Sequence, residues 1–279
     1  MGSILAFVAI GCMLPSWRDS ILWIVPILLL HEFSHYLAMR RFGYRNLQMT
    51  SFPLFGAAVS GHRFNVPGWE QCVVSVASPI PSIVLAGIAG IAALRAGWHG
   101  VAEVMAMALV LNGFNLLPVY PLDGGQVIRA TGFCRAPRLD AAFRAVATAA
   151  VVGLGWWGEL WMLLAVGMFM AFGLPEIFRQ ARAAGGLRRA GFQRLSPDGE
   201  TIADVDARRI LAALRAGSAA TGEPVSLAPR VIGTYQLLNT RPPGVWASVG
   251  FLAVQFGGLV VTLGLARWIW RGIREAGAA

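Results

Sequence analysis

The run ILWIVPILLLHEFSHYLAM, Ile21–Met39, decides both the fold class and the chemistry of this chain. It is apolar over nearly the length of a membrane crossing, for which a straight helix needs roughly 20 residues. Yet it carries His31, Glu32 and His35. Each such group costs a few kcal/mol at a bilayer centre unless it is paired or bound to a metal. Positions i and i+4 of a helix share one face, with Cβ atoms roughly 5–6 Å apart. His31 and His35 can therefore each place a nitrogen about 2.0–2.1 Å from one zinc ion. Glu32 stands beside the first imidazole, where it can take a proton from a water at the ion. With 4 His and 8 Glu in 279 residues, chance produces H-E-x-x-H about 0.002 times per chain, so the pattern is informative. The plainer reading, polar side chains satisfied by neighbouring helices, suits a lone membrane histidine better than three ionisable groups within five residues.

The rest of the composition agrees with a membrane setting. Hydrophobic residues make up 56% of the chain and charged ones 13%; with the 33 glycines the apolar share is about 68%, against roughly 45–50% in soluble domains. A soluble fold cannot cover that much apolar surface with so little polar surface, which excludes a soluble enzyme and a disordered chain. The net charge of +9 comes entirely from Arg, since the sequence contains no Lys. In so apolar a chain such a surplus holds loops on the cytoplasmic side rather than binding nucleic acid. Cys12, Cys72 and Cys134 are odd in number and widely spaced, which argues against a disulfide framework. The N-terminus lacks the basic region of a cleaved signal peptide and is expected to stay in the mature protein.

Apolar stretches at about 2–15, 20–40, 70–96, 101–118, 142–157, 158–178 and 245–270 predict an all-α polytopic protein with six spans, seven at most. Residues 142–178 must form either a hairpin broken near Gly153–Gly158 or one long bent helix. Arg40, Arg41, Arg45 and Arg63 follow the second stretch; Arg129, Arg135, Arg138 and Arg144 follow the fourth; ten more lie between Arg179 and Arg241. The loops after the second, fourth and sixth spans are therefore expected to be cytoplasmic. Within the Arg-rich segment 179–244, Thr201 and Asp204 read as a capping box. Ala207, Ile210, Leu211 and Leu214 then form a helical apolar stripe, stopped by Gly217. The Trp residues near span ends (Trp17, Trp69, Trp98, Trp246, Trp268 and Trp270) read as interfacial anchors.

A zinc enzyme needs a third protein ligand and an open position for water. The strongest carboxylate candidate is Asp123, in the segment NLLPVYPLDGG at Asn115–Gly125. Pro118 and Pro121 end a helix there, and the two glycines permit backbone that a helix cannot adopt. Non-helical backbone at membrane depth persists only where protein buries it or it lines a wet cavity. An ordinary turn Asp is the competing reading; His62, His99 and Glu103 are the other ligand candidates.

Taken together, His31–His35 and Asn115–Gly125 resemble the site-2 protease family of intramembrane zinc metalloproteases, whose paired signatures are H-E-x-x-H and N-x-x-P-x-x-x-x-D-G. Both match in order, on separate hydrophobic segments, across roughly residues 20–130. The resemblance implies one zinc ion held by His31, His35 and Asp123, with Glu32 as general base and Asn115 holding the substrate strand or the oxyanion. It also implies a short re-entrant strand or loop beside the active site, at Phe52–Val59. The chain departs from the family's A-G-P-x-x-N pattern at Ala77–Ser82, where Ser78 and Ser82 stand at the Gly and Asn positions.

The resulting expectation is a multi-pass enzyme of a bacterial cytoplasmic membrane. It has a membrane-embedded metalloprotease core at 1–178, a small Arg-rich cytoplasmic segment at 179–244 and a C-terminal hydrophobic helix and tail at 245–279. Its substrate is expected to be a transmembrane segment of another protein in the same bilayer, cleaved for regulated signalling or for signal-peptide clearance. The competing function is a transporter or metal-handling protein using the intramembrane His and Glu. Such folds often show an inverted repeat of broken spans, and only one broken segment is apparent here.

Overall fold

The structure, a computed structural model, describes residues 18–52, 56–63, 66–134, 136–192, 202–216 and 227–277. The apolar stretch at 2–15, Cys12, and the capping and stop residues Thr201 and Gly217 lie outside them. In chain order the elements are α1 (Arg18–Arg41), β1 (Arg45–Phe52), β2 (Gly56–His62), α2 (Gly68–Val76), α3 (Pro79–Arg95), α4 (His99–Asn115) and α5 (Asp123–Ile128). A π-helical turn at Arg129–Phe133 precedes α6 (Pro137–Trp157), α7 (Trp161–Arg189), α8 (Asp204–Ala216), α9 (Leu227–Asn239) and α10 (Val245–Gly277). The described residues are thus mostly helical, with one small two-stranded sheet.

Among the described residues, four helices are long and apolar enough to cross a membrane: Gly68–Arg95, Pro137–Trp157, Leu163–Arg189 and Val245–Gly277. They mark a multi-pass membrane protein. The 24-residue α1 and the 17-residue α4 are not in that set.

The chain divides into two compact units. The first comprises residues up to His62, Cys72–Val127 and Val245–Ala279. Here α1 ends in a left-handed turn at Gly43, φ +76°. The Tyr44 N–H reaches back to the Met39 carbonyl, and the Gly43 N–H to that of Arg40. That geometry needs the missing Cβ, and it turns the chain directly into the antiparallel β1–β2 hairpin, with Met49 opposite Val59 and Arg45 opposite His62. Sequence reading expected a strand-like segment at Phe52–Val59. The structure places a hairpin over Arg45–His62, of which residues 53–55 lie outside the described set.

At the centre of this unit α4 packs against α3, α10 and α1, around a core of Ile83, Ala86, Ala102, Ala106, Leu109, Leu116, Ala266 and Ile269. Small residues set the spacing. A Cβ on Gly113 would lie 2.4 Å from Thr262 Cγ2, and one on Gly90 would lie 2.6 Å from Ile269 Cδ1. In lipid, where apolar surface gains little by meeting apolar surface, such close backbone approach is a main source of helix association.

The second unit comprises Arg63–Gln71 and Ile128–Gly244. Residues 142–178, open in sequence between a bent helix and a hairpin, form the hairpin α6–α7, which turns through Gly158–Leu160 with Glu159 at φ +52°. Its helices meet at backbone distance, a Cβ on Gly155 falling 2.6 Å from the Leu164 nitrogen. Helices α8 and α9 pack on α7 around buried Ala183, Ile210, Leu214 and Tyr235. Ile210 and Leu214 belong to the stripe read from sequence. The Arg188 guanidinium donates to the carbonyls of Cys134 and Leu237, and buried Asp140 sits between Arg129 and Arg144 at 3.6 and 3.2 Å. Cys72 and Cys134 are buried, and the Cys134 thiol donates to the Ala130 carbonyl.

Candidate metal centre

Two elements of the first unit deliver three ligand atoms to one point. His31 and His35 stand one turn apart on α1, their rings edge to face with centroids 4.8 Å apart. Asp123 opens α5. His31 Nε2 lies 3.2 Å from Asp123 Oδ2, His35 Nε2 lies 3.2 Å from the same oxygen, and the two Nε2 atoms are 3.2 Å apart. Both histidines are buried. Among the described residues this is the group of His, Cys, Asp and Glu side chains able to share an ion.

The carboxylate arrives because of the prolines and glycines around it. Helix α4 stops at Asn115, and the chain turns through Leu116–Leu122, with a cis Tyr120–Pro121 peptide, before α5 begins. A Cβ on Gly124 would lie 2.1 Å from the Leu116 carbonyl oxygen, and one on Gly125 would lie 2.5 Å from the Tyr120 nitrogen. A side chain at either position would push α5 off the turn that precedes it. The Asp-Gly-Gly sequence is therefore a packing requirement as well as a ligand position.

The hydrogen bonds behind the imidazoles decide their tautomers. His31 Nδ1 lies 2.9 Å from Asn112 Oδ1, while the Asn112 amide nitrogen donates to the Ala108 carbonyl at 2.8 Å. The Asn112 oxygen thus faces His31 and can only accept, which puts a proton on His31 Nδ1. His35 Nδ1 lies 2.9 Å from the Val74 carbonyl oxygen, again an acceptor. That carbonyl belongs to the last turn of α2, where it also accepts from the Ala77 N–H at 3.3 Å and keeps a second lone pair for the imidazole. In the neutral imidazoles both Nε2 lone pairs then converge on the Asp123 oxygen. Three acceptors within 3.2 Å of one another repel unless a cation lies among them. Ligand atoms about 2.0–2.1 Å from a tetrahedral zinc stand about 3.3 Å from each other. The donor set and its spacing both fit zinc.

Glu32 is buried beside the cluster, and its carboxylate accepts a hydrogen bond from the Val59 backbone N–H of β2. The hairpin therefore reaches the centre through Glu32, which is not itself in the ligand group. Asn115 stands apart: its amide donates to the Leu111 carbonyl on its own helix at 3.2 Å. Of the other candidates, Glu103 and His99 are exposed near the start of α4. Glu103 lies about 13 Å along the helix axis from Asn112. The His62 side chain is outside the described set. Sequence reading missed Asn112 and the Val74 carbonyl. An amide inside the apolar run of α4 was a signal for the first, since a buried amide demands a partner.

No family model matches the chain. Zinc metalloprotease MJ0392 of Methanocaldococcus jannaschii is 24% identical over 179 residues, covering 57% of this chain and 51% of that protein. The putative zinc metalloprotease Rip3 of Mycobacterium tuberculosis is 33% identical over 111 residues, covering 37% of this chain and 28% of that protein. A solved structure, the Site-2 Protease from Methanocaldococcus jannaschii, aligns with 62% of this chain and 85% of that one at a TM-score of 0.45 and 19% identity. The chain spans about half the length, or less, of the curated relatives it matches. It is similar in sequence to zinc metalloproteases, in line with the resemblance carried by its two motifs.

Proposed function

We propose that this protein is an intramembrane zinc metalloprotease of the site-2 type, which hydrolyses peptide bonds in or near transmembrane segments of other membrane proteins. The observation that carries the reading is the convergence of His31 Nε2, His35 Nε2 and Asp123 Oδ2 at 3.2 Å spacing, with buried Glu32 next to them. Zinc held by those three atoms would supply Lewis acidity to a water and to the substrate carbonyl. His31 and His35 keep their Nε2 lone pairs directed inward because Asn112 and Val74 hold the Nδ1 protons. Glu32, one position and about 100° of rotation from His31, is turned away from the ligand direction. Its carboxylate takes a proton from the attacking water and passes it to the leaving amine nitrogen. Asn115 is assigned to the substrate strand.

A substrate helix hydrogen-bonds its own carbonyls and must unwind locally before attack, so substrates with helix-weakening residues near the cut are favoured. In the full arrangement we assign α1 and α4 as further spans, giving six. Helix α1 has the length to cross, and α4 is enclosed by α3 and α10. Residues 41–69 and 179–241 are assigned to the cytoplasmic side of a bacterial membrane from their Arg content. The domain division read from sequence, a proteolytic core at 1–178 with the Arg-rich segment 179–244 and the tail helix as appendages, is retained as part of this proposal.

Glu32→Gln tests the function. The side chain keeps its size and loses its basicity, so the purified protein should retain zinc while cleavage of a transmembrane substrate falls by about 10²–10⁴-fold. A variant that cleaves at the wild-type rate refutes the assignment. A transporter would instead show altered ion flux, with no peptide product from either form.

A further inference from the structure

Helix α10 is an apolar run from Val245 to Gly277, and Gln255 is the only amide side chain in it. Gln255 lies about 15 Å along the axis from the start of the helix, a depth at which a polar side chain is costly unless bonded. It is fully buried. Its Nε2 donates to two backbone carbonyls, that of Leu116 at 2.9 Å and that of Gly124 at 3.2 Å. The first is the residue directly after α4; the second is the neighbour of Asp123. One amide group thus clips together the two ends of the non-helical turn that presents the carboxylate.

The surroundings are built for that contact. Gly258, one turn further along α10, would meet Leu116 Cδ1 at 2.8 Å and Ile80 Cδ1 at 2.9 Å if it carried a Cβ, so the helix comes as close to Leu116 as its backbone allows. Gln255 Oε1, by contrast, is buried with no hydrogen-bond partner among the described residues. The position accepts the cost of an idle acceptor to obtain two donors. The Leu116 carbonyl lies just past the end of α4, where the regular helical donors run out.

We infer that Gln255 is a positioning residue for Asp123: the C-terminal helix reaches the centre through this amide and fixes the turn from Leu116 to Gly124, so that the carboxylate oxygen stays at ligand distance from both histidines. The inference rests on the reading of His31, His35 and Asp123 as a zinc site. It gives α10, which lies far outside the two motifs in sequence, a part in holding the ion that is exerted through Asp123.

The test uses the full chain in detergent, titrated with Zn²⁺ against a chelator and with Co²⁺ monitored by its visible absorption. Gln255→Met keeps the length and removes both donors; Gln255→Asn keeps an amide but is one methylene too short to span the two carbonyls. Both should weaken metal binding by about 10–100-fold, the usual effect of losing an outer partner of a ligand, and both should change the Co²⁺ spectrum. A double-mutant cycle separates positioning from simple helix adhesion. In an Asp123→Ala background, Gln255→Met should cost no further metal affinity, whereas general loosening of the fold would weaken the remaining two-histidine site as well. If Gln255→Met proves too unstable to purify, Gln255→Asn is carried through the same cycle. Wild-type metal affinity in the variants, or an equal loss with and without Asp123, overturns the inference while wild-type zinc binding leaves the proposed function standing. Failure of the wild-type chain to bind metal overturns both.

Discussion

Asn112→Leu isolates the part of the centre that depends on a proton rather than on a ligand. In the folded chain the Asn112 oxygen accepts from His31 Nδ1 at 2.9 Å, and both residues are buried. Leucine fills a similar volume and offers no acceptor. Two outcomes are open to His31. It can keep its proton on Nδ1, leaving a buried donor unpaired at a cost of about 1–3 kcal/mol. Otherwise it moves the proton to Nε2 and loses the lone pair that faces Asp123. Either route raises the free energy of the metal-bound form by a similar amount. Outer-shell partners of a metal-bound histidine are typically worth 10–100-fold in affinity, which is about 1.4–2.8 kcal/mol, so the two figures agree. Zinc competition titrations on the detergent-solubilised chain should show that loss for Asn112→Leu, with Asn112→Asp staying closer to wild type because its carboxylate still accepts from Nδ1. Equal losses in the two variants would mean that packing on α4, and not the acceptor, matters. An unchanged affinity in Asn112→Leu would refute the tautomer argument altogether.

Asp123→Ala leaves two imidazoles, too few to hold zinc firmly; zinc content by mass spectrometry should fall and cleavage should stop, and full zinc with full activity would remove Asp123 from the site. Gly124→Ala sets a methyl 2.1 Å from the Leu116 oxygen, so it should displace α5 and lower metal affinity at least as much as loss of an outer-shell partner, about 10-fold or more. A Gly124→Ala chain with native zinc affinity would show that the turn can reshape freely. For orientation, cysteines placed at the exposed positions Arg45 and Arg215 should react with an impermeant thiol reagent only from the cytoplasmic side. Labelling of both from outside intact cells would invert the topology.

Sequence alone carried the elements of this protein whose information is local. The i, i+4 spacing of His31 and His35 places them on one helix face whatever the rest of the chain does, because helical rotation is set by backbone geometry. The apolar content announced a membrane protein, because no soluble surface can be made from it. Pro118, Pro121 and the glycine pair at 124–125 marked a break in the helices because each disallows or permits particular backbone angles without reference to distant residues. The tertiary structure decided what depends on partners far apart in sequence. That Asn112 holds His31, that the Val74 carbonyl holds His35, and that Val59 of the hairpin meets Glu32 are contacts across 81, 39 and 27 positions. Gln255 reaches Leu116 across 139. A side chain's composition and spacing show that it needs a hydrogen-bond partner; which partner it finds is set by how the helices pack, and packing is fixed by close approach at residues such as Gly113 and Gly258, whose meaning appears only when the opposing helix is in place.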